Sequence, residues 1–340
     1  MANTDYGVMK VGIVGAGLMG RWHSNVITRL GASVEAILDT NQPLANKLSQ
    51  QLKSRPTVFT SIDDMLANAG LDVLHICTPV ESHFPLSLKA IEAGINIIVE
   101  KPLAITAFKT KELLEAARAK NLKICPVHQF GFQDGVRKAL SELDSLGELL
   151  HLRFTTSSAG GVGQTVNTLN DIIADVIPHP LSVLQRIRPD ISLDSSQWEG
   201  IQPMDGELQV IGDADGIGID IYVSMNSRPT RCEMELYCTD GRIILNFFHG
   251  YALIEKGNVS RIQKLTQPFK FSLNQFFVAS KNIIKRGLSG EQAYPGLYHL
   301  IEKFYFSVKS KTESPISSEE ILSVAQVRDD LNSRFLNNKN

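Results

Sequence analysis

The sequence has little net charge, few cysteines and no long apolar run. Its 34 Lys and Arg residues against 36 Asp and Glu residues leave a formal charge of −2, so there is no electrostatic footprint for a nucleic-acid or membrane surface. No apolar stretch approaches the ~20 residues that span a bilayer, and the first ten residues lack the apolar core of a signal peptide. We therefore expect a cytoplasmic protein with a small-molecule partner, and neither nucleic acid nor membrane as partner.

The few cysteines do not have the spacing of a metal site or of a disulfide framework. No two of them form a CxxC pair, and most lie inside apolar runs (Cys77, Cys125, Cys232 and Cys238). This pattern favours buried, reduced thiols over disulfides or a metal site, and we expect no metal.

Length and composition predict two globular domains. A chain of 340 residues is long enough for two domains at roughly 100–200 residues each. Hydrophobic residues at 43% and charged residues at 21% lie near the averages for soluble globular proteins, which argues against disorder, collagen and coiled coil.

The first third of the sequence alternates short apolar runs with longer amphipathic ones. Strands are predicted at Lys10–Val14, Val34–Leu38, near Val58, and at Val73–Cys77, Ile95–Val99 and Lys123–Val127. Helices are predicted between them, and several end at a glycine or asparagine that suits a helix C-terminus, namely Gly31, Gly70, Gly94 and Asn121. This alternation is typical of βαβ units. It predicts a doubly wound parallel α/β domain of the Rossmann type over residues 1–127.

The pattern changes after Val127, and residues 128–340 are predicted to form an α+β domain with a mostly antiparallel sheet. A strand at Leu149–Thr156 precedes a Gly- and Ser-rich loop, and four further strands lie between Leu208 and Ile254. Their period-2 alternation and the turn signals between them favour successive hairpins.

Two turns and the last helices complete the prediction for the second domain. Thr239–Gly241 is predicted to be a tight turn, and Asp213–Gly216 a turn longer than a two-residue hairpin loop. Helical periodicity returns from about Leu273, and Ser317 followed by Glu320 predicts a helix start. These last helices are able to pack back on the first domain.

A Gly-x-Gly-x-x-Gly string lies directly after the first predicted strand and before the first predicted helix, as Gly15-Ala16-Gly17-Leu18-Met19-Gly20. Gly15 permits a tight turn, Gly17 lets the backbone approach a pyrophosphate, and Gly20 allows the helix to pack closely on the strand. The helix N-terminus then offers free N–H groups to phosphates. The string therefore predicts a dinucleotide site.

Asp39 ends the second strand, about 20 residues after the last glycine of the string. A carboxylate at this point accepts hydrogen bonds from both ribose hydroxyls and repels a 2′-phosphate, so NAD is favoured over NADP. The alternative is that Asp39 only caps the turn that follows.

Two further strand ends are predicted to lie at the same edge of the sheet. Thr78-Pro79 follows the fourth strand, where Thr78 either caps the next helix or contacts the cofactor, and His83 lies a turn later, more often a structural position than a catalytic one. The fifth strand runs into Glu100-Lys101-Pro102, which places Lys101 where an ammonium group reaches a substrate oxygen. The alternative for Lys101 is a simply solvated side chain.

In order and spacing, these motifs resemble the glucose–fructose oxidoreductase/inositol dehydrogenase/rhizopine catabolism (Gfo/Idh/MocA) family. Residues Asp175-Val176-Ile177-Pro178-His179 are similar to that family's Asp-x-Gly-x-His segment. The resemblance covers essentially the whole chain, and its most specific parts are the Lys-Pro element and the Asp-x3-His spacing.

The resemblance implies a hydride-transferring active site at the domain interface, with Lys101, Asp175 and His179 facing the nicotinamide. His179 is the candidate base, because imidazole exchanges protons near pH 7. Lys101 would hydrogen-bond the substrate oxygen and stabilise its developing charge. If the segment is one helix, Asp175 lies on the same face as His179 and orients its ring or binds a substrate hydroxyl.

The sequence departs from the family pattern at two places. Ile177 stands where the family usually has glycine, which would narrow the pocket or shift the backbone. Pro178 and Pro180 flank His179, and both fit a helix that begins near Asp175.

The second departure from the family pattern lies after the sixth strand, at the residues expected to contact substrate, His128 and Gln129. The family often has an arginine after these positions, and this sequence has none there. His128 either lines the pocket or packs at the strand end. Asp171, near the Gly- and Ser-rich loop, is a further candidate for binding substrate hydroxyls.

These observations predict an NAD-dependent oxidoreductase acting on a sugar, a cyclitol or a nucleotide-linked sugar. Two alternatives are a non-catalytic dinucleotide-binding regulatory protein of the same fold and a reductase of a conjugated ligand such as a linear tetrapyrrole. The resemblance also implies a homo-oligomer, a dimer or tetramer, formed through the exposed face of the second-domain sheet.

Overall fold

The protein is described by a computed structural model that covers residues 9–257, 261–289 and 293–336. The chain divides into two compact units. The first consists of residues 9–127 and 297–325, and the second of the described residues in 128–296 and 326–336.

A six-stranded parallel sheet forms the centre of the first unit. Its strands are β1 (Lys10–Val14), β2 (Ser33–Leu38), β3 (Thr57–Phe59), β4 (Val73–Ile76), β5 (Asn96–Val99) and β6 (Ile124–Pro126), in the order β3-β2-β1-β4-β5-β6. The inner strands consist almost entirely of buried aliphatic residues, as expected where helices cover both faces of a sheet. The prediction of a doubly wound sheet is confirmed, and the ends of the strands differ from the predicted ones by at most one residue.

Five helices connect these strands: α1 (Leu18–Arg29), α2 (Gln42–Gln51), α3 (Ile62–Asn68), α4 (His83–Glu92) and α5 (Ala107–Ala119). A 3-10 turn at Val80–Ser82 leads into α4. The residues predicted to end helices all have positive φ angles, of 79° at Gly31, 58° at Gly70, 80° at Gly94 and 55° at Asn121. The glycine and asparagine residues therefore predicted where four of these five helices end.

A seven-stranded mixed sheet forms the second unit. Its strands are β7 (Leu149–Ser157), β8 (Glu199–Ile201), β9 (Glu207–Ala214), β10 (Ile217–Ser224), β11 (Arg231–Cys238), β12 (Gly241–Asn246) and β13 (Tyr251–Lys256), in the order β13-β12-β11-β7-β10-β9-β8. Among the strand pairs of this second sheet in the described residues, only β7–β10 is parallel, and the others are antiparallel. The predicted mostly antiparallel sheet is confirmed, and β8 is a strand that the sequence did not indicate.

The turn between β9 and β10 corrects one prediction. The two strands pair up to Ala214 and Ile217, so the loop is only Asp215-Gly216 and not the longer turn that was expected. Both loop residues have positive φ, 49° and 82°, the combination that a type I′ hairpin requires. The second predicted turn is confirmed, because Cys238 pairs with Gly241 across a two-residue loop.

Four helices accompany this sheet: α6 (Asp134–Glu142), α7 (Val166–Val176), α8 (Pro178–Ile187) and α9 (Arg261–Ser289). Helix α9 contacts β13. It begins well before the predicted Leu273 and continues through Pro268, which the sequence pattern treats as a helix breaker.

Two more helices follow, α10 (Leu297–Ser310) and α11 (Ser318–Leu331). Helix α10 belongs to the first unit and packs against α1. The predicted start of α11 is confirmed by a reciprocal capping box, in which the Glu320 N–H donates to Ser317 Oγ (3.1 Å) and the Ser317 N–H to Glu320 Oε2 (2.7 Å). None of the helices in the described part of the chain is long and apolar enough to cross a membrane.

Candidate functional site

The predicted cofactor residues of the first unit lie at one edge of its sheet, where the parallel strands have their carboxyl ends. The loops after β1, β2, β4 and β5 hold them. The strand order reverses at β1 and β4, which are neighbours, and open α/β sheets bind ligands in the crevice beside such a reversal.

The glycine loop after β1 has one open position and two closed ones. A methyl group on Gly17 would meet no atom within 4 Å, whereas on Gly15 it would clash with the Cys77 carbonyl and on Gly20 with the Gly15 carbonyl. Gly15 also has a φ of 97°, a conformation open mainly to glycine. Only glycine fits at positions 15 and 20, where the loop packs against backbone carbonyls. The space beside Gly17 is free, which would allow a pyrophosphate to lie next to the loop.

Asp39 is held against this loop. Its Oδ2 accepts a hydrogen bond from the Ala16 N–H (2.6 Å) and its Oδ1 one from the Asn41 N–H (2.7 Å). The two bonds fix the carboxylate at the end of β2 and beside the glycine loop. The turn-capping interpretation and the ribose interpretation are therefore compatible, because each oxygen has a second lone pair.

His83 connects the loops after β4 and β5. Its Nδ1 lies 2.8 Å from the Pro102 carbonyl oxygen and its Nε2 lies 2.7 Å from the Thr78 carbonyl oxygen, and the side chain is buried. Thr78 Oγ1 accepts a hydrogen bond from Ser82 Oγ (2.7 Å), and the N-cap of the 3-10 turn is Pro79 instead. This geometry favours a structural role for His83 and does not show Thr78 as a helix cap.

Glu100 follows β5 and has two hydrogen-bond partners. Its Oε1 lies 3.0 Å from Nε2 of the buried His23, and its Oε2 accepts a hydrogen bond from the Lys101 N–H (3.3 Å). The Lys101–Pro102 peptide bond is cis. The Glu100 carboxylate thus fixes the backbone at Lys101, the predicted catalytic lysine.

A buried chain of hydrogen bonds extends from Glu100 into the core of the first unit. His23 Nδ1 lies 2.7 Å from His75 Nδ1, and His75 Nε2 lies 2.8 Å from the Tyr305 hydroxyl. All three side chains are fully buried. They come from α1, β4 and α10, so the chain links three elements to the end of β5.

The protonation of this chain follows from burial. Burial, and secondarily the nearby His23, holds the pKa of His75 well below its usual range, so His75 is neutral, and burial raises the pKa of Tyr305 well above its usual range, so its hydroxyl keeps the proton. If Tyr305 donates to His75 Nε2, then His75 donates from Nδ1 to His23, and His23 donates from Nε2 to Glu100. In this assignment each ring nitrogen of the two histidines has a partner, and the Glu100 carboxylate is the final acceptor.

His179 lies in the first turn of α8 in the second unit. Its ring stacks on Phe130, with centroids 4.1 Å apart and planes at 14°, and Phe130 in turn stacks on Phe247 at 4.7 Å. Phe130 belongs to a 3-10 segment, Gln129–Phe132, that packs on α8. The aromatic stack restricts how the imidazole can rotate.

Asp175 corrects the expectation of a single helix. It lies exposed in the last turn of α7, and α8 begins only at Pro178. Proline lacks an N–H and is tolerated in a first turn but not in a helix interior, so the helix ends and restarts at the junction. Asp175 and His179 therefore do not occupy positions i and i+4 of one continuous helix.

Ile177 forms this junction, where the family usually has glycine. Its φ and ψ of −50° and −42° are helical, and its side chain is fully buried. A branched residue fits this backbone without strain, so the substitution requires no backbone shift.

The remaining predicted residues differ in exposure. His128 and Gln129 are buried, whereas Asp171 on α7 is exposed. Arg186, on α8, places its guanidinium 5.0 Å from the centre of the Phe132 ring. The segment after the sixth strand contains no arginine of its own, but Arg186 of α8 contacts it at Phe132.

A pocket in the described part of the chain lies elsewhere. It has a volume of about 640 Å³ and lies between the β11–β12 turn, β13 and α9. None of the predicted site residues lines it, so it does not identify the site.

Sequence reasoning missed His75, Tyr305 and Phe130. His75 has a usable signal, because a histidine inside the buried apolar strand VLHI must find a hydrogen-bond partner. Tyr305 is 230 positions away from His75, and nothing local to it indicates the contact.

Comparison with known proteins agrees with the geometry of the first unit. Residues 9–128 match the sequence model of the oxidoreductase family GFO_IDH_MocA, described as having an NAD-binding Rossmann fold. Over these residues the chain is similar to the Gfo/Idh/MocA family. The resemblance inferred from the sequence motifs is thereby confirmed.

Individual relatives of this chain are distant. It is 30% identical to a glycosyl hydrolase family 109 protein of Shewanella sp. strain W3-18-1, over 42% of this chain and 34% of that protein, so the chain spans about a third of the length of such relatives. It is 27% identical to an inositol 2-dehydrogenase of Pseudomonas savastanoi pv. phaseolicola, over 64% of this chain and 68% of that protein.

The fold of this chain also matches solved structures over nearly its whole length. One is the UDP-N-acetylglucosamine 3-dehydrogenase GnnA from Acidithiobacillus ferrooxidans, with a TM-score of 0.73 and 15% identity, covering 96% of this chain and 97% of that one. At this identity the similarity shows the fold.

The glycine loop generates a paired prediction. Gly17→Ala should fold as stably as the wild type, because the methyl group meets nothing and the backbone there is extended, but it should weaken NADH binding at least ~10-fold by filling the space beside the loop. Gly20→Ala should lose about 3 kcal/mol of unfolding free energy, because its methyl group overlaps a backbone carbonyl. Denaturant unfolding and NADH fluorescence titration measure the two effects. Unchanged NADH affinity in Gly17→Ala would contradict the assignment.

The buried histidine generates a prediction about pH. Because the folded state keeps His75 neutral while the unfolded chain protonates it, stability is lost as the pH falls below about 6.5. Between pH 6.5 and 5.5 the wild type should lose about 1 kcal/mol more unfolding free energy than His75→Gln, which has no titratable group there. Denaturant unfolding at several pH values measures the difference, and parallel curves for the two proteins would contradict it.

Proposed function

We propose that this chain is an NAD-dependent oxidoreductase that transfers a hydride between nicotinamide and a secondary alcohol or ketone of a sugar, a cyclitol or a nucleotide-linked sugar. The observation that carries the proposal is the glycine loop, which is open at Gly17 and has the Asp39 carboxylate held beside it. The inositol 2-dehydrogenase and the UDP-N-acetylglucosamine 3-dehydrogenase among the similar proteins support the choice of substrate class.

The residues at the carboxyl edge of the first sheet would hold the cofactor. Backbone N–H groups of the glycine loop and the N-terminus of α1 suit the pyrophosphate, and Asp39 suits the ribose hydroxyls. The segments that follow β4 and β5, Thr78-Pro79 and Glu100-Lys101-Pro102, complete the edge. Bound NAD supplies a hydride acceptor.

Lys101 would bind the substrate oxygen and stabilise the negative charge that develops there. Its backbone is fixed by Glu100, so the side chain starts from a defined position at the sheet edge.

His179 would take the proton from the substrate hydroxyl, and Asp175 would bind a neighbouring hydroxyl or orient the imidazole. The stack on Phe130 supports this role, because a base of restricted orientation loses less entropy when it meets the hydroxyl. The proposal for both residues rests on their match to the family segment.

Cleavage of a glycoside is a second candidate, favoured by the glycosyl hydrolase family 109 relatives. Both candidates are tested by one screen of purified protein. Sugars, cyclitols and nucleotide-linked sugars are assayed with NAD for NADH production, and chromogenic glycosides are assayed for release of the aglycone with and without NAD. Release of aglycone without net NADH production would favour the second candidate.

Loss of the Lys101 ammonium group should separate catalysis from cofactor binding. Lys101→Ala is expected to lower turnover at least ~100-fold, because the developing oxyanion loses its charged partner, while NADH affinity remains near the wild-type value. Lys123→Ala is the matched control, since Lys123 precedes β6 and so lies at the opposite edge of the same sheet. Turnover near wild type in Lys101→Ala would remove this residue from the mechanism.

The charge of Asp39 should decide between the two cofactors. Wild-type protein is expected to bind NADH more tightly than NADPH, and Asp39→Asn to reduce that preference about 10-fold, since the amide keeps an oxygen acceptor but no longer repels a 2′-phosphate. Parallel fluorescence titrations with both cofactors measure the ratio. Tighter binding of NADPH by the wild type would refute the assignment.

A further inference from the structure

Helix α9 has an exposed apolar face along its whole length. Nine large apolar residues on it are each at least 59% exposed: Ile262, Leu265, Phe269, Leu273, Phe276, Phe277, Ile283, Ile284 and Leu288. Most are separated by three or four positions, the spacing that places side chains on one side of a helix. We call this set the α9 ridge.

The other side of α9 is fixed to its own unit by polar contacts. Asn282 Nδ2 donates to the His249 carbonyl (2.8 Å), Arg286 Nη1 lies 3.3 Å from the same carbonyl, and Lys285 bonds to Asp134. Phe271 lies beneath the Arg242 guanidinium at 5.6 Å. The ridge therefore points away from the sheet, and the helix is held in the orientation that exposes it.

The size of the α9 ridge is that of a stable protein interface. A helix of 29 residues is ~44 Å long. Nine large side chains at these exposures present on the order of 1,000 Å² of apolar surface, compared with roughly 800 Å² buried on each partner in a standard interface and ~300–600 Å² for the largest apolar patch on a monomer.

The order of residues along the ridge is self-complementary. Ile262 and Leu265 lie at one end and Ile284 and Leu288 at the other, with Phe269, Phe276 and Phe277 between them. A two-fold axis through the middle of the helix brings the aliphatic end of one copy against the opposite aliphatic end of the other, and Phe276 and Phe277 of the two copies next to each other. This is the condition for an isologous contact.

We propose that the α9 ridge is an interface between two copies of this chain, in which the two α9 helices pack antiparallel across a two-fold axis near Gln275 and Phe276. Antiparallel packing also opposes the two helix dipoles. The surface is separate from the outer face of the second sheet, where the self-association predicted from the sequence would occur.

The basic character of α9 makes an anionic membrane surface the competing occupant. Residues 261–289 contain six Lys and Arg residues and no Asp or Glu, a composition also found in helices that lie on lipid headgroups. Lys285 and Arg286 already contact their own unit, so fewer cations remain for lipid phosphates than the sequence alone indicates. The geometry favours the second copy.

Sedimentation velocity of the full chain over a concentration series tests the proposal. The wild type should sediment at least as a dimer of the 37.5 kDa chain. The double variant Phe276→Glu/Ile283→Glu places charges in an apolar interface, so the dissociation constant of its dimer should be at least ~100-fold higher than that of the wild type. Phe108→Glu is the matched control, because Phe108 is 71% exposed on α5 and outside the ridge. Ile211→Glu, on the outer face of β9, tests the sheet surface.

Three results of this experiment would overturn the proposal. They are an unchanged assembly in the double variant, loss of the dimer in Ile211→Glu alone, and a monomeric wild type that binds anionic phosphatidylserine vesicles but not neutral phosphatidylcholine vesicles.

Cysteine cross-linking tests the antiparallel arrangement without a disruptive charge. Under mild oxidation Phe276→Cys should form a disulfide-linked dimer with itself, because it lies near the axis. Ile262→Cys should not, but it should cross-link to Leu288→Cys when the two variants are mixed. The wild type, in which three of the four cysteines are buried, gives the background. Self-cross-linking of Ile262→Cys would overturn the antiparallel pairing.

Discussion

The hydrogen bond between His23 and Glu100 is the contact on which the arrangement of the first unit depends. A carboxylate at the end of a buried strand is costly unless donors surround it. His23 supplies one donor, and the Lys101 amide the other. Behind His23, His75 and Tyr305 continue the chain of hydrogen bonds, and if Tyr305 donates to His75, then His23 donates to Glu100. The position of the predicted catalytic lysine is thus set by side chains that lie in the core and touch no ligand.

The same edge of the sheet shows how close packing and open space are combined in one loop. Gly15 and Gly20 are in van der Waals contact with backbone atoms, and the helix can therefore begin immediately behind β1. Gly17 lies between them with nothing near its Cα hydrogens. The close packing at Gly15 and Gly20 fixes the backbone on either side of this open position, and a site that is already ordered binds its ligand at a lower cost.

The sequence predicts the first unit nearly element by element, since each strand, helix end and glycine has a local signal. It fails where the deciding contact is not local. The helix that was expected to carry Asp175 and His179 is interrupted at Pro178 because the N–H that a continuous helix needs is absent. Helix α9 begins at Arg261, before the predicted Leu273, and includes Pro268. The partner of His75 is out of reach of any local pattern, and so is the Phe130 ring stacked on His179.

The return of the chain to the first unit at Leu297 has a consequence for biosynthesis. His75 is made 230 residues before Tyr305, and at ~5–20 residues per second the ribosome needs tens of seconds to make the intervening segment. During that time the strands of the first sheet have been synthesised, but α10 has not, so His75 lacks its Tyr305 partner. Because Leu297 follows residues 128–296, the first unit can complete its core only after most of the second unit has been synthesised.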